Sequence, residues 1–202
     1  LRSYINNLLD TDSIIYLDVF KVTMPQFIRF TGKQPMGRPG GQYLLTETYF
    51  KKIEAMEFTI THDDGQNVHD INKADIILIG PSRTSKTPLS IYLANEGYKV
   101  ANVPLVYNIP LPDEVFQVER KKIIALIISY EIMVEIRKKR SNYLGDESLK
   151  YSDPQYVYNE LEYCREIYRK HRWKVIDVTK KAIEETATEI INIVIGGEKE
   201  FV

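Results

Sequence analysis

An α/β fold built on a parallel sheet is predicted by three observations. Short apolar runs alternate with helical patterns from Ala74 onward, the signature of strands feeding crossover helices. The segment ADIILIG-PSRTSKT-PLSIYLANEG passes from strand to polar loop to helix, as a phosphate-binding loop requires. A chain of 202 residues with 44% hydrophobic content is long enough to bury a core. The fold class expected is therefore α/β, a P-loop-containing parallel sheet with flanking helices, preceded by the remainder of a smaller α/β N-terminal domain. Residues 1–70 are assigned to that remainder and 71–202 to the nucleotide-binding domain.

In chain order, the first 70 residues carry mixed signals. An amphipathic start leads to the apolar run Ile14-Ile15-Tyr16-Leu17, which ends at Asp18. Gln34 to Gln42, QPMGRPGGQ, is rich in turn formers and reads as a loop. The next segment, TETYFKKIEAMEF, places Tyr49 or Phe50, Ile53 and Met56 or Glu57 at helical spacing, which predicts a helix with one buried face. It runs into the polar THDDGQN. Strands are then expected at 75–79, 99–103, 123–129 and 174–177, and helices at 87–95, 131–140, 154–169 and 180–193. Gly97 supplies a C-terminal stop for the first of these helices. The last helix carries Ile183, Ala187, Ile190 and Val194 on one stripe, opposite Glu185 and Glu189. Prolines 104, 110 and 112 stiffen the connection that runs from Tyr107 to Asp113.

Composition excludes several classes. Lys plus Arg number 27 against 28 Asp plus Glu, so no global field draws the chain to nucleic acid or an anionic membrane. Any bound anion must be captured locally. No apolar run approaches the roughly 20 residues that span a bilayer. The single cysteine, Cys164, rules out an internal disulfide, and with three histidines no Cys/His metal cluster can be built, which suits a reducing, cytoplasmic setting.

The loop GPSRTSKT spans Gly80, Pro81, Ser82, Arg83, Thr84, Ser85, Lys86 and Thr87. Backbone amides at such a loop and at the following helix N-terminus carry partial positive charge and hold phosphate oxygens. Lys86 adds a full charge, Thr87 stands where a hydroxyl ligates Mg²⁺, and Pro88 falls in the first helical turn, where its missing N–H costs nothing. Arg83 is an extra cation within the loop. Ser85 departs from the usual GxxxxGK[ST] pattern, which has glycine there. A serine is accommodated only if its backbone angles are tolerable.

Phosphoryl transfer also asks for a carboxylate that takes a proton or places a metal. Asp177 ends the apolar WKVID in the manner of a Walker B aspartate; equally, Asp177 or Thr179 can cap the helix that follows. The cluster His62-Asp63-Asp64-Gly65-Gln66 gathers acids and a histidine in a loop ahead of the first sheet strand. It reads either as a catalytic group or as a solvated turn. Arg137 to Arg140 form a basic run expected on a solvated helix face, Arg38 is expected in a turn, and Cys164, sharing a stripe with Leu161 and Tyr168, is expected in the core. His69 and His171 have no ligand spacing.

ADIILIGPSRTSKTPLSIYLANEGYKVANVPLV closely resembles the bifunctional regulatory proteins of pyruvate, phosphate dikinase. The resemblance extends to PMGRPG at 35–40, YFKKIEAMEFTITHDDGQN at 49–67, EIRKKR at 135–140, ELEYCREIYRK at 160–170 and VIDVTKKAIEETATEI at 175–190. It implies an ADP-dependent serine/threonine kinase that is also a phosphate-dependent, pyrophosphate-forming phosphorylase, with ADP, Mg²⁺ and inorganic phosphate as ligands and the dikinase as protein substrate. It also implies a further N-terminal segment, fitting a chain that opens on Leu1, and a homodimer. It assigns function to the His62 to Asp64 cluster. Relatives that act on phosphoenolpyruvate synthase usually carry serine-glycine before the lysine, so Thr84-Ser85-Lys86 favours the dikinase. From the residues alone, a P-loop kinase of a small metabolite and a nucleotide-binding switch without turnover remain alternatives.

Overall fold

A computed structural model describes residues 19–35, 46–144 and 151–196. Packing divides the chain into two compact units, Leu1–Leu44 and Leu45–Val202. The expected loop at 34–42, with Arg38, and the apolar run at 14–17 fall wholly or largely outside the described residues. In the first unit the described element is helix α1, Val19–Thr31, which the sequence reading did not anticipate. Its interior Pro25 and its β-branched Val19, Val22 and Thr23 argue locally against a helix. Gly32, at φ 66°, ends it, with its N–H bonded to the carbonyl of Ile28.

The second unit carries a four-stranded, all-parallel sheet in the order β2-β1-β3-β4. The strands are β1 Ile76–Gly80, β2 Val100–Pro104, β3 Ile123–Ile127 and β4 Lys174–Asp177. Each lies within two residues of its predicted bounds. β1 and β3 are buried along their whole length, which explains why they read as unbroken apolar runs rather than alternations. Helices α2 Glu47–Thr61, α3 Lys86–Asn95, α4 Asp113–Phe116, α5 Tyr130–Leu144, α6 Pro154–His171 and α7 Ile183–Gly196 complete the unit. α3 packs against α2, β2 and α7, whereas α6 packs against β3 and α5. The apolar stripe read in the last helix is real: Ala187 and Ile190 are fully buried.

From β1 the chain crosses to β2 on one side, and from β3 it crosses to β4 on the other. Such a reversal opens a crevice at the carboxyl ends of the central strands, where open α/β sheets place their ligands. The loop at 80–87 leaves β1 at that point.

Residues 46–70, expected with the N-terminal region, belong to the sheet unit. The reason is the free edge of β2. The Val100 N–H donates to Thr59 Oγ1 (3.0 Å) and the Asn102 N–H donates to the His62 carbonyl (3.0 Å), so the end of α2 satisfies the outward amides of the edge strand. Thr46 starts α2 by accepting the Tyr49 N–H, as an N-cap should. Two short 3₁₀ turns, Asp63–Gly65 and Val68–Lys73, then lead into β1.

His62 secures this junction. It is 5% exposed and stacked on Phe58 with ring centroids 3.7 Å apart. Its Nδ1 lies 2.7 Å from the Phe58 carbonyl and its Nε2 lies 2.7 Å from Asp70 Oδ1. The hydrogen bond with His62, with that from Lys73, holds the Asp70 carboxyl at about 2, below its ordinary 3.8. A carboxyl depressed in the folded state adds stability above its unfolded value and loses it as pH falls through the folded one. We therefore expect acid denaturation to draw on Asp70 between pH 3.8 and about 2, and Asp70→Asn to flatten that part of the stability profile. Melting temperatures measured across this range would show it, and a parallel profile for the variant would contradict it.

Candidate functional site

The loop leaves β1 through Gly80, where geometry leaves no room for a side chain. A Cβ there would meet the Leu126 carbonyl oxygen of β3 at 2.8 Å and Thr84 Oγ1 at 3.2 Å. Pro81 follows, and its carbonyl accepts two hydrogen bonds: Thr84 Oγ1 donates at 2.9 Å and Lys86 Nζ at 3.0 Å. Thr84 is fully buried. The loop is thus folded on itself around one carbonyl, with the lysine reaching back across it.

Ser85 is the N-cap of α3 and adopts φ 58°, ψ 28°, in the left-handed region. This accounts for the departure from glycine at that place: serine enters the conformation glycine usually supplies. Arg83 is also left-handed, at φ 76°. Each non-glycine residue there costs about 1–2 kcal/mol, so the loop holds a conformation that its surroundings must enforce.

Lys86 is only 7% exposed. Burial pushes its ammonium down to about 8, against the opposing pull of Asp64, Cys164, Asp63 and Glu160. Cys164 is itself buried, its thiol pushed up to about 12 by burial, so it remains a core group and not a nucleophile.

A cavity of about 340 Å³ lies over the loop. It is lined by Ser82, Arg83, Ser85, Lys86, Thr87 and Pro88, by Asn102 and Pro104 of β2, and by Asp63 and Asp64. Two larger hollows, beside Tyr130 and Tyr158 and beside Arg172 and Trp173, contain none of the loop residues.

The two aspartates differ in their engagements. Thr87 Oγ1 donates to Asp63 (3.1 Å to Oδ1, 3.2 Å to Oδ2), and Asn102 Nδ2 donates to Asp63 Oδ1 and to Thr87 Oγ1. Asp64, exposed and itself left-handed at φ 54°, lines the cavity without a hydrogen-bond partner among the described residues. Asn102 is 2% exposed and is the residue that sequence reading missed. Lying inside an apolar strand, VANVP, it was an unexplained buried amide, and that anomaly was the available signal.

His62 is not among the cavity residues, since both its ring nitrogens are committed to the α2 junction. Asp177 does not cap the next helix, which starts at Ile183: its Oδ1 accepts the Thr179 N–H (2.8 Å) and hydroxyl in a local turn, and Thr179 Oγ1 accepts the Ser129 N–H. It sits on the edge strand β4, with β3 between it and β1, and does not line the cavity.

Arg137 corrects the expectation of a solvated basic run. It is 1% exposed and pairs with the buried Glu160. Its Nη2 also donates to the Ser82 carbonyl (3.3 Å) and its Nη1 to the Tyr151 carbonyl (3.4 Å), with the guanidinium 4.7 Å from the Tyr151 ring centre. Arg83 Nε donates to the Tyr151 hydroxyl at 2.8 Å. Lys138, Lys139 and Arg140 are exposed, as expected.

These features define a class: an α/β protein whose parallel sheet carries a strand–loop–helix turn with a buried lysine at its switch point, faced by carboxylates. Among known proteins, the profile of the family described as kinase/pyrophosphorylase matches residues 1–191. The chain belongs to that family. It is 45% identical over 193 residues to a protein of Geotalea daltonii named as a regulatory protein of pyruvate, phosphate dikinase, covering 95% of this chain and 72% of that one. Likewise named are relatives in Geobacter metallireducens, 48% identical over 87% of this chain and 66% of that one, and in Bdellovibrio bacteriovorus, 41% identical over 96% and 70%.

Because Ser85 holds a left-handed backbone with an exposed side chain, we expect Ser85→Gly to raise stability by up to about 1 kcal/mol and Ser85→Val to lower it by more than that. Urea denaturation of both variants checks the sign; a destabilised glycine variant would contradict the assigned conformation.

Proposed function

We propose that the protein is a bifunctional regulator of pyruvate, phosphate dikinase. It phosphorylates a threonine of the dikinase with ADP as donor, and it removes that phosphate with inorganic phosphate as acceptor, forming pyrophosphate. The relatives' names support the dikinase as partner. The observation that carries the reading is the knot of Asp63, Thr87 and Asn102 at the mouth of a lysine-bearing phosphate loop.

The roles follow from the contacts. Lys86 and the amides of the loop and α3 hold the phosphates and disperse charge on the group in transfer. The hydroxyl of Thr87 and the carboxylate of Asp63 are hard oxygen donors about 3 Å apart. They suit Mg²⁺, an ion usually held by one or two carboxylate or hydroxyl ligands together with substrate phosphates, and no group of three or more His, Cys, Asp or Glu among the described residues offers another site. When bound, Mg²⁺ would neutralise charge on the phosphates. Asp64, free of hydrogen bonds among the described residues, accepts the threonine proton as the hydroxyl attacks the β-phosphorus of ADP and AMP departs. In the opposite reaction an oxygen of inorganic phosphate attacks the phosphothreonine phosphorus, and the departing threonine oxygen takes a proton back from Asp64.

The test is to incubate the protein, Mg²⁺ and ADP with dikinase already phosphorylated on its catalytic histidine, then to add inorganic phosphate to the product. Phosphothreonine followed by pyrophosphate is the expected result. No phosphothreonine, together with transfer from ATP to a small metabolite, would overturn it. We expect Lys86→Ala to lower transfer by roughly 10²-fold or more, and Asp64→Asn to abolish transfer while sparing ADP affinity. ADP affinity should also weaken as pH rises through about 8, where Lys86 loses its charge, and Lys86→Arg should remove that dependence. Calorimetric titrations at successive pH values measure it.

A further inference from the structure

We propose that Arg137 is a positioning residue for the phosphate loop, its buried guanidinium fixing the carbonyl of Ser82 so that the next amide faces the anion. The inference rests on the reading of residues 80–87 as a phosphate cradle, and extends it to a residue on α5 that does not line the cavity.

The argument begins with the peptide between Ser82 and Arg83. In a trans peptide the carbonyl and the N–H point in opposite directions. Arg137 Nη2 draws the Ser82 carbonyl toward α5 at 3.3 Å, so the Arg83 N–H is turned the other way, on the side away from α5. The same residue, Arg83, bears the larger positive φ of the loop, and its side chain is tied to the Tyr151 hydroxyl. Tyr151 is in turn held by Arg137, through its carbonyl and beneath its ring. The peptide before the left-handed residue and that residue's own side chain are therefore tied, directly and through Tyr151, to one guanidinium.

Only arginine has this reach. Its planar fork bonds two carbonyls and a carboxylate together, whereas a lysine ammonium cannot span them. The pair with Glu160 does not by itself explain the residue, because a buried ion pair is commonly replaceable by apolar side chains without loss of stability. Nor is the guanidinium spent on that pair alone: Nη2, 2.5 Å from Glu160 Oε2, also donates to the Ser82 carbonyl, Nη1 reaches the Tyr151 carbonyl, and Nε has no partner among the described residues. Glu160 locks the head group and Ser82 receives the effect.

The experiment uses the full 202-residue chain, with Mg²⁺ and ADP as the probe, and two variants. Arg137→Lys keeps the charge beside Glu160 and loses the fork. The double variant Arg137→Met with Glu160→Met removes the pair together and leaves no orphaned charge. Calorimetry gives ADP affinity, transfer to phosphohistidine-form dikinase gives kcat and KM, and thermal melts report the fold. The expected result is an ADP Kd raised about tenfold and a kcat lowered by up to roughly 10²-fold in both variants, with melting temperatures within a few degrees of the parent. A folded variant with unchanged affinity and kcat would overturn the proposal. So would loss of fold in both variants, since Arg137 would then be a structural residue only. If the unaltered protein binds no ADP, the reading of the loop itself falls with it.

Discussion

The side-chain amide of Asn102 is the interaction on which the site depends. It stands on β2, an edge strand, and one strand register fixes it three ways: its backbone N–H is taken by His62, and its side chain reaches both Asp63 and Thr87. Without that register Asp63 would be one more acidic residue in a polar turn. With it, a carboxylate from before the sheet begins is set against the first turn of the helix that follows the first strand. The edge-protecting bonds of α2 and the side-chain knot at the loop mouth share the same few ångströms of backbone, so they are one device.

Strain and restraint balance at the loop. Two left-handed residues without the freedom of glycine, and an ammonium in a desolvated site, are both costly arrangements. They persist because Pro81 accepts from Thr84 and Lys86, because Gly80 lets β1 lie close to β3, and because Arg137 and Tyr151 hold the outer flank. Donors restrained in this way need no rearrangement when a charge arrives.

Much of the fold was legible in sequence because the buried parallel strands are continuous apolar runs and the helices between them keep their period. The strand–loop–helix turn was legible because its residues are contiguous from Gly80 to Thr87. What escaped notice depends on contacts between distant segments. Arg137 sits in a run of four cations that local reasoning assigns to solvent, and only its 23-residue separation from Glu160 across two helices reveals the burial. Asp63, Asp64 and Asp177 look alike as sequence; their difference lies in strand order, which puts Asp177 at the far edge. Helix α1 ran against local propensity, with proline within it, and so left no readable trace.

The knot of Asp63, Thr87 and Asn102 also bears on modularity. A strand–loop–helix cradle is contiguous and would seem portable, a unit that could be cut out at residue 70 and carried to another scaffold. Here its carboxylate arrives from the segment before that cut, tied down by the outermost strand. The loop is portable in this architecture; the carboxylate that faces it is not, and the two can only be inherited together.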